Sequence, residues 1–147
     1  MTLRWLLPLM LLLVACSEEK PAVNAQWGTP EYIASEFFNA IYNEKDLEKA
    51  KHLSTKEYAD LMESYGTVRQ VARTLLNMSF DHVDIRVNRT GGNLREQYEN
   101  VADIALLLTG QHDGKQIDEL RVVEMVQQNS RWVVKSVQVD KYSSSAR

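Results

Sequence analysis

The chain predicts an α+β fold, with helices in its first half and an antiparallel four-stranded sheet in its second. Two observations carry this. Apolar residues recur every three to four positions from Thr29 to Leu76 and every second position from Phe80 onward. The period-two runs are also separated by short turn signals, Asp113-Gly114 and Asn129-Ser130, which join neighbouring strands as hairpins. Runs of helices followed by runs of strands are the α+β pattern.

Thr29-Pro30-Glu31 starts the first helix with a capping hydroxyl, proline at the first helical position and an early acid. To about Asn43 this helix places Ile33, Phe37 and Ile41 on one stripe, with Ala34 and Phe38 beside it. Asp46 caps a short second helix through Leu47, Ala50 and Leu53. Ser54-Thr55-Lys56-Glu57 has capping-box spacing ahead of Tyr58, Leu61, Met62 and Tyr65, and Gly66 suits a left-handed terminus. Thr67-Val68-Arg69-Gln70 repeats the box, with Val68, Val71, Ala72, Leu75 and Leu76 forming the next apolar face. Val83, Ile85 and Val87 then alternate with polar residues in a half-buried strand. A polar loop with Gly91-Gly92 leads to strands near 101–109, 117–126 and 132–139.

Phe37-Phe38-Asn39-Ala40-Ile41-Tyr42, running into Lys45-Asp46-Leu47-Glu48-Lys49-Ala50, and the closing Trp132-Val133-Val134-Lys135-Ser136-Val137 give a resemblance to a known superfamily. The arrangement resembles the nuclear transport factor two-like, or cystatin-like, α+β cone. That resemblance implies helices lying in the concavity of a bent antiparallel sheet over residues 29–142, in a lipoprotein subgroup with no assigned activity. The superfamily holds enzymes and non-enzymes, so the fold alone does not choose between them.

Ahead of this domain, Arg4 supplies a basic start, Trp5 to Leu13 an apolar run, and Leu13-Val14-Ala15-Cys16 closes it on the only cysteine. The apolar run is shorter than the roughly 20 residues a spanning helix needs. The pattern resembles the lipobox of bacterial lipoproteins. It implies a signal peptide over residues 1–15, cleavage before Cys16, a diacylglycerol on its thiol and an acyl group such as palmitate on its amino terminus. Residues 16–28 read as a polar tether, and Ser17 after the cysteine implies passage to the outer membrane with the domain facing the periplasm. Residues 143–147, with Ser143-Ser144-Ser145, read as a disordered tail.

Removing 15 residues from 147 leaves 132, enough for one domain with its own core and no disulfide or metal staple. Removing Arg4 from the 17 basic residues leaves 16 against 20 acidic ones, a net charge of −4 with neutral histidines. Basic residues are scattered among acids, which excludes a nucleic-acid stripe. No pair of histidines has metal-ligand spacing, and Gly91-Gly92 lacks a phosphate-loop context, so neither a metal nor a cofactor is expected.

The acids to inspect for proton transfer are Asp103 and Glu124, each set among apolar strand residues. Alternation reads both as solvent-facing carboxylates. His82 and Asp84 share a strand face and read as a solvated pair, His112 belongs to the hairpin turn, and His52 complements a helix dipole. Tyr42, Tyr58 and Tyr65 read as core, with a ligand-lining role as the alternative. Leu107, Val123, Met125, Trp132 and Val134 are expected on an outer apolar face covered by an envelope protein or a second copy. The chain is thus expected to be an envelope-anchored module that binds a small apolar ligand or a protein, with no catalytic residue assigned. The competing expectation is a small cofactor-free isomerase, dehydratase or cyclase using an acid in the cone.

Overall fold

The computed structural model describes residues 25–88 and 100–138. The predicted signal peptide, Cys16, Gly91-Gly92 and the 143–147 tail lie outside the described residues. α1 (Pro30–Asn39) starts on Thr29, whose hydroxyl accepts the Tyr32 amide at 3.3 Å, with Pro30 at the first turn. It passes without interruption into a π-helical turn, Ala40–Glu44, which ends on Lys45 in the left-handed conformation. α2 (Leu47–His52) is capped by the Asp46 carboxylate. α3 (Lys56–Ser64) is capped by Thr55, whose hydroxyl accepts the Tyr58 amide. Ser54, the expected cap, instead donates its hydroxyl to the Ala50 carbonyl. Gly66 takes φ of 80°, then Thr67 caps a short α4 (Val68–Gln70) that also runs into a π turn, Val71–Leu75.

The sheet is antiparallel in the order β1 (His82–Val87), β2 (Val101–His112), β3 (Lys115–Gln128), β4 (Arg131–Gln138). β2 and β3 are longer than hydrophobicity alone indicates, and β4 keeps its expected length, one residue earlier. Their polar ends stay paired because Asp113-Gly114 and Asn129-Ser130 all take positive φ, the two-residue turn that matches strand twist. Each edge strand is engaged at one point by the helical half. The Asn43 side-chain amide donates to the Val83 carbonyl at 2.9 Å and accepts the Val83 amide at 3.0 Å along β1. At the other edge, the Thr55 amide donates to the Val134 carbonyl and the Val134 amide to the Leu53 carbonyl, both at 2.8 Å. Edge groups left open would be templates for another chain.

The core lies between the helices and one sheet face. Ala34, Phe37, Phe38, Ala40 and Tyr42 are fully buried against Ala102, Leu106, Leu108, Val123 and Met125. Leu61, placed on the core stripe by spacing, is 43% exposed. The inner and outer faces of β3 correct one expectation directly. Val123 and Met125 pair across the sheet with Ile104 and Ala102 and are buried under the helices, so they belong to no outer surface. Alternation allows Glu124 to face outward only if its neighbours face inward. Trp132 and Val134 are inner-face residues too. A bulge leaves Lys135 without a partner between the Met125–Val134 and Glu124–Ser136 pairs, so Trp132, Val134 and Val137 share the core side although their spacing is not strictly two. Of the residues expected outside, only Leu107 is there, 37% exposed.

Candidate functional site

Both π turns flank one cleft. Its volume is about 620 Å³, and Ile41 and Tyr42 of the first π turn face Ala72 and Arg73 of the second across it. Phe80 and Val68 complete an apolar lining, while Lys45, Arg69, Asp81 and His112 bring charged and polar groups. A π turn inserts an extra residue per turn and is most often kept where a site needs it. Here it turns Ala40, Ile41 and Tyr42 inward in succession, where a regular helix would swing one of them toward solvent.

The aromatic wall depends on one glycine. A Cβ on Gly110 would stand 2.5 Å from the Phe80 ring and 2.7 Å from the His82 carbonyl oxygen. With Gly110 bare, the Phe80 ring lies against β2 and meets Tyr42 edge to face at 5.2 Å. Tyr42 donates its hydroxyl to the Met78 carbonyl at 3.3 Å, and Lys45 donates to the Phe80 carbonyl, also at 3.3 Å. The 77–81 segment is thereby tied to the first π turn.

Beside the cleft, a hollow of about 260 Å³ is lined by Arg73, Ser79, Phe80 and His112, which it shares with the cleft, and by Ile117 and Glu119. Glu119 leads to the least expected group in the core. Arg121 is 1% exposed on the inner face, opposite Leu106, and donates from Nη1 to Glu119 Oε2 at 3.2 Å. Its Nε has no hydrogen-bond partner among the described residues. A buried guanidinium with one carboxylate partner and an orphaned donor costs folding free energy, and such groups concentrate at functional sites. Burial pushes the Tyr42 hydroxyl well above its ordinary range, Arg121 pulls it back in part, and Tyr58 and Glu119 add to the rise. Tyr58 is raised by burial as well, offset in part by a hydrogen bond with the Val137 backbone. Both tyrosines therefore stay protonated.

Asp103 and Glu124 stand opposite each other on the outer face, away from the tyrosines. Glu124 accepts from Lys135 at 2.9 Å and from Ser136 at 2.7 Å, and these bonds hold its carboxylate below the usual range. The enzyme expectation placed its acid in the cone on these two residues, and the sheet parity removes them from it. The acid on the inner face is Glu119. Its signal was present in the sequence, because Glu119 and Arg121 continue the odd-numbered series of Val123 and Met125. His82 and Asp84 share the outer face of β1, where Asp84 pairs with Arg86 at 2.7 Å rather than with His82. His112, read as a turn residue, ends β2 on the wall of the cleft. Tyr42 combines the two roles weighed for the tyrosines, being fully buried and cleft-lining, while Tyr58 and Tyr65 pack in and against the core.

The outer face does carry apolar residues, but different ones. Leu107 pairs with Leu120, Ala105 with Val122, and Val101 with Val126, which in turn pairs with Val133. Among the described residues no group of three His, Cys, Asp or Glu side chains gathers as a metal site requires. No described helix is long and apolar enough to cross a membrane. Comparison with protein-family models, curated proteins and solved structures finds no match for this chain.

Proposed function

We propose that this protein is an envelope lipoprotein whose domain, a nuclear transport factor two-like cone, binds a small apolar-bodied ligand in the cleft beside Tyr42. The observation that carries the reading is the cleft itself. At about 620 Å³, with Ile41, Tyr42, Val68, Ala72 and Phe80 beside the polar Lys45, Arg69, Arg73, Ser79, Asp81 and His112, it has the size of small-molecule sites and both apolar and polar groups to hold one. The bulge at Lys135, which bends a strand, and the helices preceding the sheet support the cone. The lipobox at Cys16 supplies the anchor: one acyl chain binds weakly, and several bind durably at about 0.8 kcal/mol per buried methylene. Residues 16–28 then tether the domain within at most about 45 Å of the bilayer.

Two measurements test this. Cys16→Ser should abolish lipid attachment and leave an unprocessed precursor; an unmodified mature Cys16 in mass spectrometry would defeat the anchor. Native mass spectrometry of the gently solubilised protein should show a non-covalent small molecule, lost in Ala72→Trp, which fills the cleft. The same bound mass in both proteins would place the ligand elsewhere and refute the cleft.

A further inference from the structure

The cations of this acidic protein are not evenly neutralised. Lys49, Lys51, Lys56, Arg86, Arg121 and Lys135 each hold a carboxylate within ion-pair distance. Lys45, Arg69, Arg73, Lys115 and Arg131 hold none among the described residues. Their placement is uneven. Lys45, Arg69 and Arg73 line the cleft, and Lys115 stands across the β2–β3 pair from His112, which lines it too. Arg131 alone belongs to the other hairpin. Of the acids near the cleft, Asp81 lies on its rim and Glu119 is engaged by Arg121.

Unpaired cations repel one another, and a chain of net charge −3 has carboxylates enough to pair them. The cleft keeps its cations without carboxylate partners, Lys45 donating only to the Phe80 carbonyl, while its apolar lining is Ile41, Tyr42, Val68, Ala72 and Phe80. Arg121 is neutralised by Glu119, so the positive charge of the cleft is that of Lys45, Arg69 and Arg73. A neutral apolar ligand would gain nothing from this rim, and a cationic one would be repelled.

Resting on the cleft as the binding site, we propose that its ligand is an amphipathic acid, one carboxylate or phosphate on an apolar body. The acid meets Arg69, Arg73 and Lys45, and the body lies on the aromatic and aliphatic floor. Arginine presents the paired donors that a carboxylate or phosphate accepts. The same chemistry is offered by a soluble acid and by the headgroup and acyl chain of an acidic membrane lipid.

The test uses the full-length protein in phosphatidylcholine nanodiscs, titrated with octanoate, octyl phosphate, octanol and octylamine against empty discs, with hydrogen exchange locating the site. At low salt octanoate or octyl phosphate should bind about tenfold more tightly than octanol, as two or three partly exposed charge contacts provide. Octylamine should bind most weakly. The margin over octanol should shrink as salt is raised. Arg69→Gln/Arg73→Gln, both at exposed positions, should remove the margin of the acids over octanol. Octanol matching the acids, with protection at residues 41–45 and 68–73, would overturn the acidic class and leave the cleft as a binding site. No protection there by any probe would overturn both. Repeating the titration in discs containing phosphatidylglycerol separates the sources: loss of octanoate binding marks a membrane lipid as occupant, and unchanged binding marks a soluble acid.

Discussion

Replacing Arg121 by methionine should make the protein more stable, although it deletes an ion pair. Arg121 is 1% exposed, donates from Nη1 to Glu119 at 3.2 Å and to the Leu120 carbonyl at 3.3 Å, and leaves Nε unsatisfied. Taking such a cation out of water costs several kcal/mol, and one imperfect ion pair does not return it; exchanges of buried pairs for apolar side chains typically gain about 1–4 kcal/mol. Methionine matches the unbranched stem and follows irregular space. Glu119, with its side chain 22% exposed, can turn to solvent once its partner is gone. A gain of about 1–3 kcal/mol is therefore expected, which at a slope near 2 kcal/mol/M moves a urea midpoint up by about 0.5–1.5 M. The converse change is not symmetric. Glu119→Ala strands the buried cation and should cost about 3–5 kcal/mol. Urea denaturation of both variants and of the double variant decides the matter, the double variant falling much closer to Arg121→Met than to Glu119→Ala. A fall of more than about 1 kcal/mol in Arg121→Met would show that the guanidinium is well satisfied, and the argument that it is retained at a stability cost would fail.

Gly110→Ala should lower stability by about 1–3 kcal/mol and weaken the contact of Phe80 with Tyr42, because the new methyl meets the ring and a backbone oxygen. An unchanged melting curve would mean that the Phe80 segment shifts freely. Trp132→Glu should unfold the domain rather than release a folded monomer, since the ring packs against the core; circular dichroism with sedimentation separates the outcomes. Glu124→Gln should cost about 0.2–1 kcal/mol at neutral pH, the range of a partly exposed pair. Its carboxylate sits below its unfolded value, so the contribution is present above the usual carboxylate range and is lost as pH falls through the lowered folded value. The difference between wild type and variant should therefore vanish in acid; a gap that persists at low pH would assign it to packing.

Local rules in the chain determined most of the elements. Thr29, Asp46 and Thr67 cap the helices they were expected to cap, and Asp113-Gly114 and Asn129-Ser130 make the hairpins, because capping and two-residue turns need only neighbouring atoms. Phe37 and Ile41 reached the core as helical spacing placed them, and Tyr42 is buried in the π turn that follows α1. Which face of β3 and β4 meets the helices was decided by the tertiary structure. Val122, Glu124 and Val126 alternate with Arg121, Val123 and Met125, so both faces mix apolar and charged residues, and period two states only that there are two faces. The Lys135 bulge then reverses the parity within β4, which no spacing rule anticipates. The cleft depends on the same kind of long-range arrangement. Tyr42, Arg73 and His112 are separated by tens of residues, and only the tertiary fold brings the two π turns and the end of β2 around one cleft.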